Sequence, residues 1–323
     1  MKAVRVHAYG AADVQRHEDV ELPVPGAGEA LVQVAAAGLN FIDVSYRTGV
    51  FKAPQLPFTN GSEAAGTVTA IGPDVSNVKV GERVAFCMVL GAYAEYAIVP
   101  AWRLVTLPAS IDFDTAAAVM LQGMTAHYLA RSTFALQEGH VCVIHAVAGG
   151  VGLMLCQIAK LQGATVIGTT STEKKAELAR TAGADHVILY TQENVADRVR
   201  ELTDGRGADV VYDSVGQSTI QGSLDALRRR GMLVSFGQSS GPVPPIDPLT
   251  LSSKGSLFLT RPILGHYTAD REELEQRAED IFTWMQAGKL KVRIDTEYTL
   301  EHAADAHAAL ESRKTSGKVL IVP

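Results

Sequence analysis

Hydrophobic and polar residues alternate in short segments along residues 1 to about 110. Turns rich in Gly and Pro, such as 23–28 and 72–74, separate these segments, and this spacing is typical of β-strands. Strands are predicted at 2–7, 30–36, 65–71, 83–86 and 94–99. The first part of the chain is therefore predicted to be a compact all-β body.

From about residue 112 the pattern changes to helices alternating with strands. An apolar helical stretch covers 114–130, and a strand at 141–144 leads through a glycine loop into a helix at 152–162. The remaining elements are strands at 165–169, 186–189, 209–213 and 232–236, helices at 270–287 and 301–312, and a last strand at 318–322. This alternation predicts a parallel, doubly wound sheet with helices on both faces.

Length and composition indicate a globular protein of two domains that binds a small molecule. A chain of 323 residues with 47% hydrophobic and 20% charged residues exceeds what one hydrophobic core usually covers. A net charge of −6 gives no general surplus of Lys and Arg for binding nucleic acid or an anionic membrane. A small-molecule partner fits this composition better.

Cysteine usage and the start of the chain predict a cytoplasmic protein. The three cysteines, Cys87, Cys142 and Cys156, form no Cys-x-x-Cys pair, so they provide neither a disulfide framework nor a cysteine-rich zinc site. The first residues alternate like a strand and lack the apolar segment of a secretory signal. No apolar run is long enough to suggest a membrane span.

The segment 146–152, with the sequence AVAGGVG, lies between a predicted strand and a predicted helix. A pyrophosphate needs close backbone approach and N–H groups at a helix N-terminus, and small residues permit both. Val147 stands where the common Gly-x-Gly-x-x-Gly motif has its first glycine, so the position of the loop is stronger evidence than the motif. The loop predicts a dinucleotide-binding unit, and an ordinary glycine-rich turn is the alternative.

The end of the second strand of this unit favours NADPH. NAD-binding proteins usually place an Asp or Glu there, about 20 residues past the glycines, to bind the ribose 2′-hydroxyl. Here the strand ends in 169–175, TTSTEKK, where hydroxyls and lysines suit a 2′-phosphate. The alternative is that Thr172 caps the next helix and 173–175 form its solvated first turn.

Short segments spread over the whole chain carry a family resemblance. They are 38–43, 47–49, 61–66, 91–96, 149–152 with Gln157 and Lys160, 212–216, 235–237, 260–262 and 311–313. Together they resemble the quinone oxidoreductase, or zeta-crystallin-like, branch of the zinc-independent medium-chain dehydrogenase/reductase superfamily. The resemblance implies an α/β fold, with a GroES-like β-rich catalytic domain (1–121 and 262–323) and a doubly wound Rossmann coenzyme domain (122–261). It also implies a homodimer.

The resemblance implies roles for individual residues. The coenzyme contacts it implies are Asn40, Phe41, Ser45, Thr125 and Tyr128 at the nicotinamide end, Ala148, Gly149, Gly150 and Val151 at the pyrophosphate, Ser171, Thr172, Lys175 and Tyr190 around the 2′-phosphate, and Ser214, Phe236, Gly237, Ser239 and Arg313 along the rest of the groove. Asn40 and Tyr46 are the catalytic candidates, and Tyr46 and Phe51 are expected to face the substrate. For Tyr190 and Ser214 a structural role at a strand end is the alternative.

The zinc ligands of the zinc-dependent relatives are replaced in this chain. Asn40 falls near the position of the first cysteine, Ser62 replaces the histidine before Glu63, and 121–123 offer no thiolate. His127 and His145 are interpreted as core or surface residues. No metal site is expected, so reduction of an electron-poor acceptor is the chemistry that remains.

These observations predict an NADPH-dependent reductase of quinones or similar conjugated carbonyl compounds. Tyr46 is the candidate proton donor, although the family often has tyrosines where Ser45 and Phe51 stand, and Tyr46 as a packed aromatic is the alternative. One rival function is an enoyl or alkenal double-bond reductase on the same scaffold. Another is an NADPH-binding protein with little turnover, crystallin-like or RNA-binding.

Overall fold

A computed structural model describes residues 1–323 and divides the chain into two compact units. Unit 1 comprises Met1–Met124, Thr268–Gln286 and Val292–Pro323, and unit 2 comprises Thr125–Tyr267 and Ala287–Lys291. Unit 2 thus shares residues 125–261 with the coenzyme domain expected at 122–261.

The chain forms strands and helices from end to end. The strands are β1 (Lys2–Val6), β2 (Gln15–Asp19), β3 (Glu29–Leu39), β4 (Phe58–Thr59), β5 (Glu63–Ile71), β6 (Arg83–Cys87), β7 (Tyr96–Pro100), β8 (Val105–Thr106), β9 (Val141–Ile144), β10 (Thr165–Thr170), β11 (His186–Leu189), β12 (Ala208–Asp213), β13 (Leu227–Ser235), β14 (Phe258–Thr260), β15 (Ile294–Thr299) and β16 (Lys318–Val322). The α-helices are α1 (Phe41–Thr48), α2 (Phe113–Tyr128), α3 (Gly150–Leu161), α4 (Glu173–Thr181), α5 (Val195–Leu202), α6 (Ile220–Ala226), α7 (Pro248–Ser253), α8 (Arg271–Gln286) and α9 (Ala303–Glu311). None of these helices combines the length and the apolar composition that crossing a membrane requires.

Unit 1 is built on two β-sheets. The larger has the order β15-β16-β3-β5-β6-β8, with β7 also paired to β3, and the smaller has the order β2-β1-β4. Inward-facing residues such as Val32, Val68 and Phe86 form one buried cluster with Val319 and Ile321 of the last strand. The final strand of the chain is therefore part of the core of the first domain.

Helix α1 corrects the prediction of an all-β body for residues 1 to about 110. The helix begins after Asn40, whose backbone N–H donates to Asp43 Oδ2 at 2.9 Å. It ends at Gly49, which takes the left-handed conformation (φ 79°) and donates its N–H to the carbonyl of Tyr46. An Asn followed three residues later by an acidic residue is a helix-start signal that the strand pattern concealed.

Unit 2 contains the predicted parallel, doubly wound sheet. Its strand order is β11-β10-β9-β12-β13-β14, and every neighbouring pair is parallel. The order reverses between β9 and β12, and in sheets of this kind ligands bind at the carboxyl ends of the strands around that point. Val143, Ile167, Val211 and Leu233 lie in the buried core of this sheet.

The element bounds differ from the predicted ones mainly where glycine or a long strand is involved. The helix predicted at 152–162 begins at Gly150, since its hydrophobic pattern becomes visible only after two glycines. The strand predicted at 232–236 begins at Leu227, because its first residues, LRRR, carry no hydrophobic alternation. Helix α2 ends at Tyr128 and continues as a π-helical turn, Leu129–Thr133.

Candidate functional site

The glycine loop of unit 2 joins the carboxyl end of β9 to helix α3. Gly149 is the N-cap of α3 in an extended conformation (φ −77°, ψ 170°), and Gly150 and Val151 are the first helical residues. The N–H groups of the first turn of a helix have no partner within the helix, so this end favours an anion. A Cβ atom on Gly152 would lie 2.5 Å from the carbonyl oxygen of Ala146, so only glycine allows this approach of helix to loop.

The valine that replaces the first glycine of the motif is accommodated by its neighbours. Ala146 takes a positive φ of 51° and makes the bend itself. Val147 is fully buried and donates its N–H to the carbonyl of Thr169 at 3.2 Å. A Cβ atom on Gly168 of β10 would lie 2.7 Å from Val147 Cγ1, so a glycine on the adjacent strand makes room for the valine.

The residues expected around a 2′-phosphate lie together at the carboxyl ends of β10 and β11. Ser171 follows β10, and Tyr190 follows β11 and donates its N–H to the carbonyl of Thr170 at 3.1 Å. Thr172 caps α4, because its hydroxyl oxygen accepts the backbone N–H of Lys175 at 3.4 Å, as the alternative interpretation of this segment predicted.

No carboxylate occupies the position that an NAD-binding protein would use. Glu173, the nearest acidic residue in the sequence, is exposed and forms an ion pair with Arg180 at 2.5 Å. Lys175 lies on the first turn of α4, close behind Thr172 in the sequence. The end of β10 thus offers hydroxyl groups and a helix N-terminus, which suit a phosphate better than a ribose hydroxyl.

Two turns at the ends of β12 and β13 hold the next group of candidates. Phe236 donates its N–H to the carbonyl of Asp213 at 2.8 Å, and Ser239 donates to the carbonyl of Ser214 at 3.2 Å. A Cβ atom on Gly237 would lie 2.4 Å from that same Ser214 oxygen. The two turns therefore pack against each other and are joined by backbone hydrogen bonds, and they contain the candidates Ser214, Phe236, Gly237 and Ser239.

Sequence reasoning missed Arg261, which fixes the turn after β13. Its guanidinium donates to the carbonyl oxygens of Ser235 at 3.1 Å and Gly237 at 2.7 Å. The segment 260–262 contributed to the family resemblance, but it has no spacing that would reveal this contact.

An aromatic stack lies near the end of α2. Tyr128 stacks on Tyr267 with ring centroids 4.3 Å apart and planes 9° apart, and Thr133 donates to the Tyr267 hydroxyl at 3.0 Å. Thr125 is buried one turn earlier on the same helix. These are the two candidates that unit 2 contributes to the expected nicotinamide end.

In unit 1, Asn40 is held on both sides of its amide group. Its Nδ2 donates to Glu63 Oε2 at 2.8 Å, and its Oδ1 accepts from Lys318 Nζ at 2.9 Å. Lys318 also forms an ion pair with Glu63, and Glu63 Oε1 accepts the backbone N–H of Leu121 at 2.6 Å. All three interacting side chains are buried. Sequence reasoning missed Lys318, which lies far along the chain in the last strand.

The residues at the zinc-ligand positions do not fit a zinc ion. They offer an amide (Asn40), a hydroxyl (Ser62) and a carboxylate (Glu63) that a lysine ammonium already neutralises. Burial raises the pKa of the nearby Cys87 thiol to about 12, so it is not a thiolate at neutral pH. No three His, Cys, Asp or Glu side chains are grouped so that they could hold a metal ion.

The remaining unit 1 candidates lie on α1 and just beyond it. Tyr46 meets Phe51 edge to face, with ring centroids 5.9 Å apart. Burial, and to a lesser extent Asp43, raises the pKa of the Tyr46 phenol, so it keeps its proton at neutral pH. Phe51, which contacts Tyr46, is 45% exposed, and so is Phe41 at the start of the helix.

The other two unit 1 candidates are Ser45 and Arg313. The Ser45 hydroxyl donates to the Phe41 carbonyl within the helix at 3.1 Å. Arg313 follows α9 with a positive φ of 58°.

Asp43 is a fully buried carboxyl group beneath α1. Its Oδ2 accepts the Tyr93 hydroxyl and the Asn40 N–H, both at 2.9 Å. Burial raises the pKa of Asp43 to about 6, against the lowering effect of these hydrogen bonds. The buried carboxyl therefore changes charge near pH 6.

We predict that Asp43→Asn changes how stability depends on pH. A folded-state pKa raised from 3.8 to about 6 contributes stability below pH 3.8 that is lost as the pH rises through 6. Relative to the wild type, Asp43→Asn should gain free energy of unfolding between pH 4.5 and pH 8, on the order of 2 kcal/mol. Denaturant unfolding at both pH values measures this, and a difference that does not change with pH would contradict it.

Comparison with known proteins identifies the family. Residues 26–109 match the alcohol dehydrogenase GroES-like domain, and residues 150–284 match the family model described as zinc-binding dehydrogenase. A quinone oxidoreductase of Pseudomonas aeruginosa is 47% identical over 100% of this chain and 99% of its own. A 2-haloacrylate reductase of a Burkholderia species is 41% identical over 99% of this chain and 98% of its own.

The fold is shared with solved structures of the same group. The crystal structure of Escherichia coli quinone oxidoreductase complexed with NADPH superposes with a TM-score of 0.98 at 41% identity, and each chain is covered completely. The matches confirm the predicted GroES-like and Rossmann folds. The chain belongs to the quinone oxidoreductase branch of the zinc-independent medium-chain dehydrogenase/reductase superfamily, a group of NADPH-dependent oxidoreductases.

Proposed function

We propose that this protein is a cytoplasmic NADPH-dependent reductase that transfers a hydride to a quinone. The observation that carries the proposal is the end of β10, which presents Ser171, Thr172 and the N-terminus of α4, where the one carboxylate, that of Glu173, is paired with Arg180. The family supports it, because relatives named quinone oxidoreductases match the whole chain.

The residues of unit 2 bind and orient the coenzyme in this proposal. Ala148 to Val151 receive the pyrophosphate at the N-terminus of α3, and Ser171, Lys175 and Tyr190 receive the 2′-phosphate. NADPH, when bound, supplies the hydride.

In this proposal the residues of unit 1 bind the quinone and protonate it. The exposed rings of Phe41 and Phe51 provide an apolar surface for a flat conjugated substrate. Tyr46 holds its phenolic proton and donates it to the reduced oxygen. Both ends of the Asn40 amide are already hydrogen-bonded, so we assign Asn40 a positioning role at the start of α1.

A second candidate function is reduction of a conjugated carbon–carbon double bond. The specific observation in its favour is the full-length match to a 2-haloacrylate reductase at 41% identity. Hydride addition to an enone or acrylate places the same demands on the coenzyme site, so the substrate surface decides between the two functions.

We predict fast oxidation of NADPH with 1,4-benzoquinone and 9,10-phenanthrenequinone and much slower oxidation with a simple enone or 2-chloroacrylate. Chelators should have no effect, because the residues do not form a zinc site. The decrease of nicotinamide absorbance measures the rates. Faster turnover of the enone or acrylate would favour the double-bond reductase, and tight NADPH binding without turnover of any acceptor would indicate a binding protein.

We predict that Lys175→Ala raises the KM for NADPH about 10- to 100-fold and leaves the KM for NADH nearly unchanged. A charge-assisted hydrogen bond to a phosphate accounts for a change of this size. The matched control is Lys174→Ala, which removes a neighbouring exposed charge on the same helical turn. Equal effects of the two variants would place the 2′-phosphate elsewhere.

We also propose that two copies of the chain associate through β14. This strand is at one edge of the six-stranded sheet, and it exposes Phe258 (57%) and Leu259 (38%). An exposed apolar edge strand presents unpaired N–H and C=O groups to a second strand. Continuation of the sheet into a second copy would cover both the backbone groups and the apolar side chains.

We predict that the wild type is a dimer in solution and that Phe258→Lys with Leu259→Lys makes it monomeric. Light scattering after size-exclusion chromatography measures the mass. Val24→Lys is the control, since Val24 is 86% exposed and belongs to unit 1, whereas β14 belongs to unit 2. A monomeric wild type, or a dimer that survives both substitutions, would contradict the proposal.

A further inference from the structure

Four buried side chains form a continuous hydrogen-bonded chain across the carboxyl ends of β10, β9 and β12. Thr169 Oγ1 lies 2.9 Å from His145 Nδ1, and His145 Nε2 lies 3.0 Å from Ser223 Oγ. Ser223 Oγ donates to Asp213 Oδ2 at 2.7 Å. These side chains belong to the ends of three neighbouring strands and to helix α6, around the point where the strand order reverses.

The direction of each hydrogen bond follows from the Asp213 end. The Asp213 carboxylate also accepts the N–H groups of Val215 at 2.8 Å and Gly216 at 3.0 Å, so it acts as an acceptor throughout. The Ser223 hydroxyl therefore donates its only hydrogen to Asp213, and its oxygen accepts the Nε2–H of His145. Burial lowers the pKa of His145, so the ring is neutral and its one proton is on Nε2. His145 Nδ1 therefore accepts the Thr169 hydroxyl.

Burial supports the neutral imidazole. The four residues are at most 3% exposed, and burial lowers the pKa of His145. The arrangement is also not a nucleophilic triad, because the serine donates to the carboxylate and the histidine donates to the serine. The hydrogen-bonded chain therefore holds the His145 ring in one orientation and does not activate a nucleophile.

The chain is connected to the glycine loop through the backbone. His145 is the residue between β9 and the loop, and its N–H donates to the carbonyl of Tyr212 at 3.0 Å. Thr169, at the other end, accepts the Val147 N–H through its own carbonyl. Fixing the His145 ring between two strands therefore fixes where the loop begins.

We propose that His145 is a positioning residue for the coenzyme, which holds the loop 146–149 in the conformation that receives the pyrophosphate. This inference rests on the proposed placement of the pyrophosphate at Ala148 to Val151. Thr169 and Ser223 act with His145, because each satisfies one nitrogen of its ring. The expected result is a defect confined to ligands that contain a pyrophosphate.

The test compares binding of NADPH with binding of adenosine 2′-monophosphate, which has the 2′-phosphate but no pyrophosphate. His145→Phe keeps an aromatic ring and removes both hydrogen bonds, and it should raise the Kd for NADPH about tenfold. The Kd for adenosine 2′-monophosphate should change less than about twofold, because the residues around the 2′-phosphate are untouched. His145→Gln, whose amide can donate to Ser223, should restore most of the NADPH affinity.

Ser223→Ala tests the same chain at its other end. It leaves the Nε2–H of His145 without an acceptor, so it should also raise the Kd for NADPH. The effects of Ser223→Ala and His145→Phe on the Kd should not add, because both substitutions break the same hydrogen-bonded chain. Tyr212→Phe is the matched control, since it removes another buried hydroxyl of unit 2, which donates to the Leu129 carbonyl at 3.2 Å. It should lower the melting temperature without the selective loss of NADPH binding.

The outcomes separate failure of this inference from failure of the proposed function. His145→Phe with unchanged NADPH affinity, or with equal loss of both ligands, would overturn the positioning role. Gly149→Asp tests the pyrophosphate placement itself, because Asp is a favourable N-cap residue but puts a negative charge at the expected phosphate. If Gly149→Asp also leaves NADPH binding unchanged, the coenzyme site is elsewhere and the proposed function fails with it.

Discussion

A charge buried in a protein needs a partner, and the ion pair between Lys318 and Glu63 meets that requirement at the centre of unit 1. Both side chains are fully buried, and the last strand of the chain is held against β3 at the same place. Because the ammonium group lies between Glu63 and Asn40, the start of α1 is fixed as well. The position of Tyr46 and its aromatic neighbours thus depends on a lysine near the C-terminus.

The ion pair between Lys318 and Glu63 also prevents a metal ion from binding at this place. A metal ion at this place would have to displace a bound ammonium and would find no thiolate or imidazole ligands. The ammonium group of Lys318 already occupies this place beside Glu63, and an ammonium group is not a Lewis acid that could polarise a bound alcohol. The chain therefore fits an oxidoreductase whose substrate is already electron-poor, and this agrees with the branch of the superfamily to which it belongs.

Much of the fold was predictable from local pattern, and the failures have physical causes. Strands β9, β11 and β16 and the parallel order of unit 2 follow from short apolar runs at helix-sized intervals. Helix α1 was missed because its start depends on Asn40 and Asp43, two polar residues that a search for alternating hydrophobicity ignores. The family resemblance identified Asn40 as a candidate, but no local signal pairs Asn40 with a residue 278 positions away in the sequence.

The glycine loop shows how a departure from a motif is resolved in three dimensions. Val147 departs from the dinucleotide-binding motif at its first glycine. Gly168 on β10 provides the space that a glycine at that position of the loop would have provided. The two positions are 21 residues apart, so the compensation is invisible to any search of the loop alone. Only the pairing of β9 with β10 brings them together.

The two interpretations of Thr172, helix cap or phosphate ligand, are compatible in the structure. As a cap, its hydroxyl oxygen accepts the N–H of Lys175, and an accepting oxygen still has its own hydrogen to donate. A phosphate oxygen at the N-terminus of α4 would accept that hydrogen in the region where the helix dipole already favours a negative charge. Capping also holds the first turn of α4, which carries Lys175, in a defined place beside Ser171. The structural role is therefore a reason to expect phosphate binding at this position, because an ordered helix terminus is what such a site requires.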